Sequence, residues 1–292
     1  MKPVLWNISF FFVKLLSLLP LRILYLFSNV LFFIAFYIIK YRKNVIIGNL
    51  KNAFPEKSEI EIKNIVRKFY SHFCDNLIET VALLSMPEDE IKRRMVYKNV
   101  ELLNKLYDNK KSVCVVFGHY GNWEWLASLP LSCKHNVFAI YLPLKNKKVD
   151  ELIKNARSKF GVICIKKQTA LYKIFENYKQ GKLSITYLLG DQTPNKSELD
   201  YWTQFLNQET PVFLGVEKIA IKTGQAVVFF HIRKIKRGYY ETEIINLFED
   251  AKSTTPGEIT ETHVKLLEKI IFEKPEYWLW SHRRWKHKKP VN

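Results

Sequence analysis

A chain of 292 residues, 48% of them hydrophobic and 14% aromatic, has ample apolar material for a sizeable core, which excludes an intrinsically disordered protein. The formal net charge is +18 and the sequence pI is about 9.6. This excess of Lys and Arg suits three kinds of partner, namely nucleic acid, an anionic membrane surface, or an acidic protein or phosphorylated substrate. A Lys-rich solvated surface explains part of it. We expect no nucleic acid as partner, because no zinc-finger spacing, basic zipper or stacking-sheet motif occurs.

The chain contains four cysteines, none of which forms a Cys-x-x-Cys pair: Cys74, Cys114, Cys133 and Cys164. Two of them lie in apolar runs that resemble strands. The pattern favours reduced thiols in a reducing compartment and predicts no metal site.

The N-terminal region is almost entirely apolar from residue 4 to residue 39. Lys14 interrupts a first segment, 4–19, whereas the second, 23–39, carries no charge. As a helix the second segment spans roughly 25 Å, at the short edge for a bilayer core of about 30 Å. Lys40, Arg42 and Lys43 follow, and by the positive-inside tendency they keep the remaining chain on the cytoplasmic side.

We therefore predict an N-terminal membrane anchor over residues 1–43, as a membrane-associated helix or helical hairpin, and a cytoplasmic domain over residues 44–292. The alternative is a hairpin of helices buried within the protein. A signal peptide is disfavoured because the apolar stretch is too long and no small-x-small cleavage site follows it.

Beyond residue 44 the hydrophobic pattern changes from helical to alternating. Residues 56–85 have helical spacing, and Pro87 ends that region. From residue 100 onward, strand-like runs alternate with helical patterns, which predicts an α/β fold with a mostly parallel central sheet flanked by helices. The predicted strands are 112–117, 162–165, 183–189, 226–233 and 239–247, and the predicted helices are 123–129, 149–160, 170–180, 212–222 and 258–272.

A Gly-rich motif, residues 118–124, follows the first of these strands and contains His119 and Glu124. On one regular helix these two side chains would point apart, but they can meet if His119 lies in the turn before a helix and Glu124 in its first turn. Glu124 would then accept a bond from one imidazole nitrogen, leaving the other to take a proton from a hydroxyl. A lone His near a Glu is usually structural, yet a Gly-flanked His after a buried strand has no obvious packing purpose.

The motif Gly118-His119-Tyr120-Gly121-Asn122-Trp123-Glu124 resembles the His-x4-Asp/Glu signature of glycerolipid-type acyltransferases, and in its full form the late acyltransferases of lipid A biosynthesis. The tail of residues 275–286, Pro-Glu-Tyr-Trp-Leu-Trp-Ser-His-Arg-Arg-Trp-Lys, resembles the ending of the same family. Leu188-Leu189-Gly190-Asp191-Gln192 resembles its strand-terminal Asp-Gln element. The resemblance covers nearly the whole chain and implies a glycerolipid acyltransferase-like fold.

This resemblance implies an O-acyltransferase that moves a fatty acyl chain from an acyl carrier protein or coenzyme A thioester to a hydroxyl of a lipid A precursor at the inner membrane. It implies neither a metal nor a further cofactor, and it makes His119 and Glu124 the catalytic pair. The sequence from Gly190 to Pro194 replaces the Glu-Gly-Thr-Arg phosphate motif of the glycerol-phosphate branch. That departure argues against glycerol 3-phosphate or lysophosphatidate as the acceptor.

Six further residues are candidates for substrate binding. Backbone N–H groups around Gly121 and Asn122, and the Arg157 side chain, are candidate donors to the oxyanion formed from the thioester. An alternative remains for each group. Arg157 would be a solvated helix charge, and Asp191 and Gln192 would be a strand-end cap that orients the next loop. In the tail, the Trp side chains would pack under the last helix and the basic terminus would be solvated. Two other functions also stay open, namely acylation of another lipid (an aminolipid or a glycolipid) and a non-catalytic membrane-binding protein on the same fold. Arginine binds phosphate bidentately, so Arg283 and Arg284 are expected to contact a phosphate or a lipid headgroup. The six residues are Asn122, Arg157, Asp191, Gln192, Arg283 and Arg284.

Overall fold

The computed structural model describes residues 12–289, so residues 1–11 of the predicted anchor lie outside the described part. The first complete helix, α1, spans Leu21–Phe33 and continues as π-helix over Ile34–Ile38. This 18-residue stretch has a mean hydropathy of 1.9 and is long and apolar enough, by length and composition, to cross a bilayer. One side of α1 is buried against the protein, and the other presents large apolar side chains to the surroundings, among them Leu26 and Val30.

Polar side chains fasten α1 to the body of the protein. Tyr25 donates a hydrogen bond to Glu79 at 2.7 Å, and Ser28 donates to Asp75 at 2.7 Å. Arg237 binds the same Asp75 carboxylate at 2.6 Å. Both acids are almost completely buried. The division at residue 43 stays a prediction, but these bonds make α1 a packed layer of the folded unit.

Two helices follow, α2 over Lys43–Ala53 and α3 over Glu59–Leu83. Helix α3 begins at Ser58, whose hydroxyl accepts the backbone N–H of Glu61 while the Glu61 carboxylate accepts the backbone N–H of Ser58. This reciprocal cap satisfies two backbone donors that a helix start leaves unpaired. It explains why a helix predicted over residues 56–85 begins at residue 59.

The remainder forms the α/β body. Seven strands form one sheet in the order β1-β9-β8-β2-β5-β3-β4, in which the β8–β9 pair is antiparallel and the other pairs are parallel. Two short strands, β6 and β7, form a separate antiparallel hairpin. The predicted mostly parallel α/β sheet is therefore confirmed. The strands are β1 Met95–Lys98, β2 Val113–Phe117, β3 Asn136–Tyr141, β4 Ile163–Lys166, β5 Ser184–Leu189, β6 Trp202–Phe205, β7 Gln208–Pro211, β8 Ala226–Lys236 and β9 Tyr239–Phe248.

Helices cover both faces of this sheet. Their bounds are α4 Glu88–Arg94, α5 Val100–Asp108, α6 Lys147–Ser158, α7 Lys167–Lys179, α8 Gly215–Thr223 and α9 Glu258–Glu273. A 3-10 helix, Trp123–Leu131, replaces the α-helix predicted over residues 123–129. Three short 3-10 turns follow later in the chain, at Lys196–Glu198, at Ala251–Ser253 and at Pro275–Tyr277, and the last of them leads from α9 into the tail.

Strand β2 lies at the centre of the core, and all five of its residues are buried. Its side chains alternate between two hydrophobic clusters, with Cys114 and Val116 in one and Val113, Val115 and Phe117 in the other. This alternation is the two-residue period of a strand covered on both faces. It places the carboxyl end of β2 at the middle of the sheet edge.

Candidate functional site

Two neighbouring parallel strands deliver the central side chains of the candidate site. Strands β2 and β5 are paired so that Phe117 lies opposite Leu189. Two residues beyond each partner stand His119 and Asp191. Because the carboxyl ends of parallel strands meet at the same sheet edge, the two side chains come together there. His119 Nδ1 lies 2.7 Å from Asp191 Oδ1.

The Asp191 carboxylate is buried and accepts several hydrogen bonds. Its Oδ2 accepts the backbone N–H of His119 at 2.7 Å and the indole N–H of Trp278 at 2.8 Å. Burial by itself would raise the pKa of Asp191, but His119 and these donors outweigh burial and lower it to about 2. The ionised carboxylate therefore accepts a hydrogen bond from His119 Nδ1–H, which places the lone pair of the imidazole base on Nε2.

Nε2 of His119 faces the exposed side of the site. The amide nitrogen of Gln192 lies 3.1 Å from it and donates to its lone pair. Gln192 is exposed, so a hydroxyl from solvent can approach Nε2 from the side on which Gln192 lies. Asp191 and Gln192, predicted from their place at a strand end, both contact the histidine.

The predicted hydrogen bond between His119 and Glu124 is wrong, because His119 Nδ1 pairs with Asp191. Glu124 instead forms a bidentate pair with Arg157, whose Nη2 and Nε lie 2.6 and 2.7 Å from its two oxygens. The reason is geometric: the 3-10 turn directs Glu124 toward α6, while Asp191 approaches the imidazole from the neighbouring strand. Trp123 lies between, because its ring packs edge-on against His119 at 5.1 Å and its Nε1 donates to Glu124 at 3.2 Å.

The Glu124–Arg157 pair lies at the margin of the site with both partners partly buried. Burial would raise the pKa of Glu124, but the Arg157 guanidinium outweighs it and holds that pKa below its usual range. Reciprocally, burial would lower the pKa of Arg157, and Glu124 raises it. Both groups are therefore charged at neutral pH, and the carboxylate fixes the plane of the guanidinium beside the motif.

Several contacts fix the turn between His119 and Glu124. Gly121 has φ +63°, and a Cβ there would lie 2.8 Å from Ile232 Cγ2, so this position requires glycine. Its N–H donates to Tyr277 O at 3.1 Å and is therefore occupied in this structure, although the sequence suggested it as an oxyanion donor. Asn122 is 1% exposed, caps the 3-10 helix through Trp125 N, and donates to Glu79 at 2.6 Å.

The aromatic tail forms the floor of the motif. Tyr120 and Trp278 form a β-bridge, and Leu279 N donates to His119 O at 3.1 Å. Trp278 is 2% exposed and Trp280 is fully buried. For these two indoles the packing alternative is therefore what the structure shows. The contact between Trp278 and Asp191 was not predicted, because nothing in the sequence relates positions so far apart.

The two tail arginines differ in their surroundings. Arg283 is exposed, as a residue that contacts a headgroup must be. Arg284 is 1% exposed, and its Nη2 donates to Pro211 O at 2.7 Å. The predicted contact of Arg284 with a surface phosphate does not fit this position, because its backbone turns the side chain beneath β7.

The chain is similar in sequence to known acyltransferases of lipid A biosynthesis. The chain matches the family model of the bacterial lipid A biosynthesis acyltransferases over residues 2–287. The lipid A biosynthesis lauroyltransferase of Escherichia coli (strain K12) is 23% identical over 269 residues, which cover 92% of this chain and 87% of that protein. The lipid A biosynthesis acyltransferase 2 of Shigella flexneri is 19% identical over 233 residues, covering 80% and 74%. The E. coli palmitoleoyltransferase of lipid A biosynthesis is 21% identical over 249 residues, covering 85% and 80%.

The α/β fold and these relatives define the chain as an acyltransferase. More narrowly, it belongs to the bacterial lipid A biosynthesis acyltransferase family, whose model it matches over almost its whole length. The resemblance seen in the sequence motifs is thereby confirmed.

Proposed function

We propose that this protein transfers a fatty acyl group from an acyl carrier protein or coenzyme A thioester to a hydroxyl of a lipid A precursor, at the cytoplasmic face of the inner membrane. The observation that carries the proposal is the 2.7 Å bond between His119 Nδ1 and the buried Asp191 carboxylate. It leaves Nε2 of the imidazole as a base at the exposed side of a strand-end site. The lipid A acceptor is supported by the names of the relatives.

His119 acts as the general base. A hydroxyl of the acceptor takes the place of the Gln192 amide at Nε2 and gives up its proton while its oxygen attacks the thioester carbonyl carbon. The new C–O bond forms, the C–S bond breaks, and the imidazolium returns its proton to the departing thiolate. A positioned base contributes about 10²–10⁴-fold to such a step. Asp191 stabilises the imidazolium in between, because it stays ionised.

Arg157 is the proposed donor to the oxyanion. The thioester carbonyl oxygen becomes negative during attack, and one well-placed donor stabilises that charge by roughly 3–4 kcal/mol. Glu124 takes both Nε and Nη2 of the guanidinium, which fixes its plane and leaves the Nη1 edge to face a ligand. Glu124 thus keeps a place in the catalytic constellation, with Arg157 in place of the imidazole as the group it orients.

The membrane assignment depends on α1. Its exposed side carries a continuous row of large apolar residues, whereas the opposite side is bonded into the protein. Lys40, Arg42 and Lys43 follow the helix directly and favour an anionic, cytoplasmic leaflet. Exposed Arg283 is the proposed contact for a phosphate of the acceptor. We propose no metal or further cofactor, and the acyl thioester is a co-substrate.

The test is acyl transfer by the purified full chain. A lipid A precursor in mixed micelles is incubated with acyl carrier protein thioesters or acyl-CoA, and products are identified by mass spectrometry. We expect an ester product that is lost in His119→Ala and strongly reduced in Glu124→Gln. Equal turnover in wild type and His119→Ala would refute the catalytic proposal.

The acceptor is tested separately in cells. Mass spectrometry of membrane lipids with and without the protein should show one acyl chain missing from lipid A. Loss of an acyl chain from an aminolipid or glycolipid, with lipid A unchanged, would move the proposal to that lipid.

A further inference from the structure

We propose that Arg284 is a positioning residue of this acyl transfer, whose buried guanidinium acts across a small internal cavity on the Asp191 carboxylate and holds it as the anionic partner of His119. The inference depends on the proposed function, because it assigns Arg284 a role in the same His119–Asp191 pair. It replaces the phosphate contact that the basic tail suggests from sequence.

The guanidinium of Arg284 is shielded from solvent and touches no anion directly in the described part of the chain. Arg284 is 1% exposed, and Nη2 donates to the carbonyl of Pro211 at 2.7 Å. Its Nε and Nη1 are buried and find no acceptor within residues 12–289. The backbone is fixed as well, because Thr193 Oγ1 donates to Arg284 O at 2.7 Å. A buried guanidinium with a single neutral acceptor is costly unless a negative charge lies nearby.

That negative charge is Asp191. Arg284 and Asp191 line the same cavity, together with His263 and mostly apolar side chains such as Val116 and Phe229. The cavity has room for about one water molecule. A water in this cavity would accept from Nε or Nη1 of Arg284 and donate to Asp191 and to His263 Nε2, a buried atom that also has no partner within the described residues. Such a bridge joins the cation to the carboxylate without direct contact.

The two histidines near the cavity are neutral at physiological pH, while the nearby carboxylates of Glu217 and Glu261 oppose the fall in the pKa of His263. Burial lowers the pKa of His263 to about 4, and burial likewise lowers that of His282, on the tail, to about 4. Burial lowers the pKa of Arg284 to about 10, which leaves it charged, and Asp191 is the anion that opposes this fall. Arg284 therefore completes the charge balance behind Asp191: the anion faces a cation on its inner side and the imidazole on its outer side.

Kinetics separate positioning from substrate binding. Arg284→Met removes the charge while filling similar space, and Arg284→Lys keeps the charge. Because Arg284 does not reach the surface, we expect Arg284→Met to lower kcat roughly ten- to hundredfold with an unchanged KM for the lipid acceptor. Arg284→Lys should retain kcat within a fewfold of wild type. Lys288→Met, an exposed tail residue, is the matched control and should leave both constants unchanged. A raised acceptor KM with an unchanged kcat in Arg284→Met would overturn the proposal.

A double-mutant cycle tests whether Arg284 acts through Asp191. If it does, Arg284→Met added to Asp191→Asn lowers kcat less than threefold further, whereas independent effects multiply. Multiplying effects would overturn the inference while leaving the proposed function intact. An unimpaired Asp191→Asn would instead remove the catalytic pair itself. Circular dichroism and thermal unfolding check folding, and if Arg284→Met does not fold, Arg284→Gln takes its place in the cycle.

Discussion

Replacement of Asp191 by Asn is the sharpest test of the His119–Asp191 pair. The change keeps the size of the side chain and removes its charge, and the new amide can no longer act as an ionised acceptor for His119 Nδ1. In the folded protein the pKa of Asp191 is about 2 against an ordinary value of 3.8. Each pKa unit corresponds to about 1.4 kcal/mol, so the carboxylate gains roughly 2–3 kcal/mol from its surroundings.

In Asp191→Asn the imidazolium that forms on His119 loses this interaction with the carboxylate. A loss of roughly 2–3 kcal/mol in the transition state lowers kcat roughly 30–150-fold. A wrong imidazole tautomer would deepen the loss. The assay is the initial rate of ester formation at saturating thioester and acceptor. Asp75→Asn is the matched control, since Asp75 is an equally buried carboxylate that binds Arg237 and Lys234 instead of a histidine. It should lower stability yet keep kcat within about threefold.

The pH dependence of the free energy of unfolding is a second test of the Asp191 carboxylate. Because the folded-state pKa of Asp191 is depressed, its contribution is present above the unfolded value of about 4 and is lost as the pH falls toward 2. Asp191→Asn should therefore lower the free energy of unfolding at pH 7 by a comparable amount, and the difference from wild type should shrink between pH 4 and pH 2. A folded Asp191→Asn with kcat within threefold of wild type would refute the reasoning.

Three further outcomes are expected. Trp278→Phe removes an indole donor to the Asp191 carboxylate and should lower kcat about 10-fold. Trp280→Phe, equally buried but bonded to a backbone carbonyl, should lower stability alone, and equal kcat in the two variants would contradict this. Gly121→Ala, at φ +63°, should lower stability by about 1–3 kcal/mol and abolish most activity, while Gly48→Ala, in an open helical position, should be neutral or stabilising in thermal unfolding. His263, with a pKa near 4, is held neutral in the folded state but is protonated near pH 6.5 when unfolded, so stability falls as the pH drops from about 6.5 to 4. His263→Gln should flatten that slope in urea unfolding, and an unchanged slope would argue against it.

Much of the fold follows from local patterns. The helices near α3 and α6 to α9, and the strands β2, β4, β5, β8 and β9, agree with the predicted ranges to within a few residues. Strands β1 and β3 and the β6–β7 hairpin were not predicted. Strands β1 and β3 pair with partners that are distant in the chain, which local periodicity does not report. The β6–β7 hairpin is local, but each of its strands has only four residues, too few for a clear alternation. The 3-10 geometry of Trp123–Leu131 was also not predicted, and Pro130 within it cannot continue an α-helix.

The candidate site was predicted as a set of residues better than as a set of contacts. The sequence motif placed His119 after a buried strand and Asp191 at the end of another, as the structure has them. Which strands are neighbours depends on the sheet order, in which β2 pairs with β5 and not with β3, the next strand along the chain. Without that order the nearest carboxylate in sequence, Glu124, was the natural partner for the imidazole. The burial of Arg284 was also not predicted, because its neighbours Arg283 and Trp285 give no periodic pattern that separates buried from exposed positions.

The β-bridge between Tyr120 and Trp278 also has a consequence for how the protein is made. The two residues are separated by about 160 positions in the chain. At a synthesis rate of roughly 5–20 residues per second, Trp278 is added about 8–30 s after the histidine motif. Until then the motif lacks its floor and Asp191 lacks its indole donor. The apolar helix Leu21–Ile38, for which we propose contact with the membrane, is synthesised well before either, so it is complete before the histidine motif is held in place.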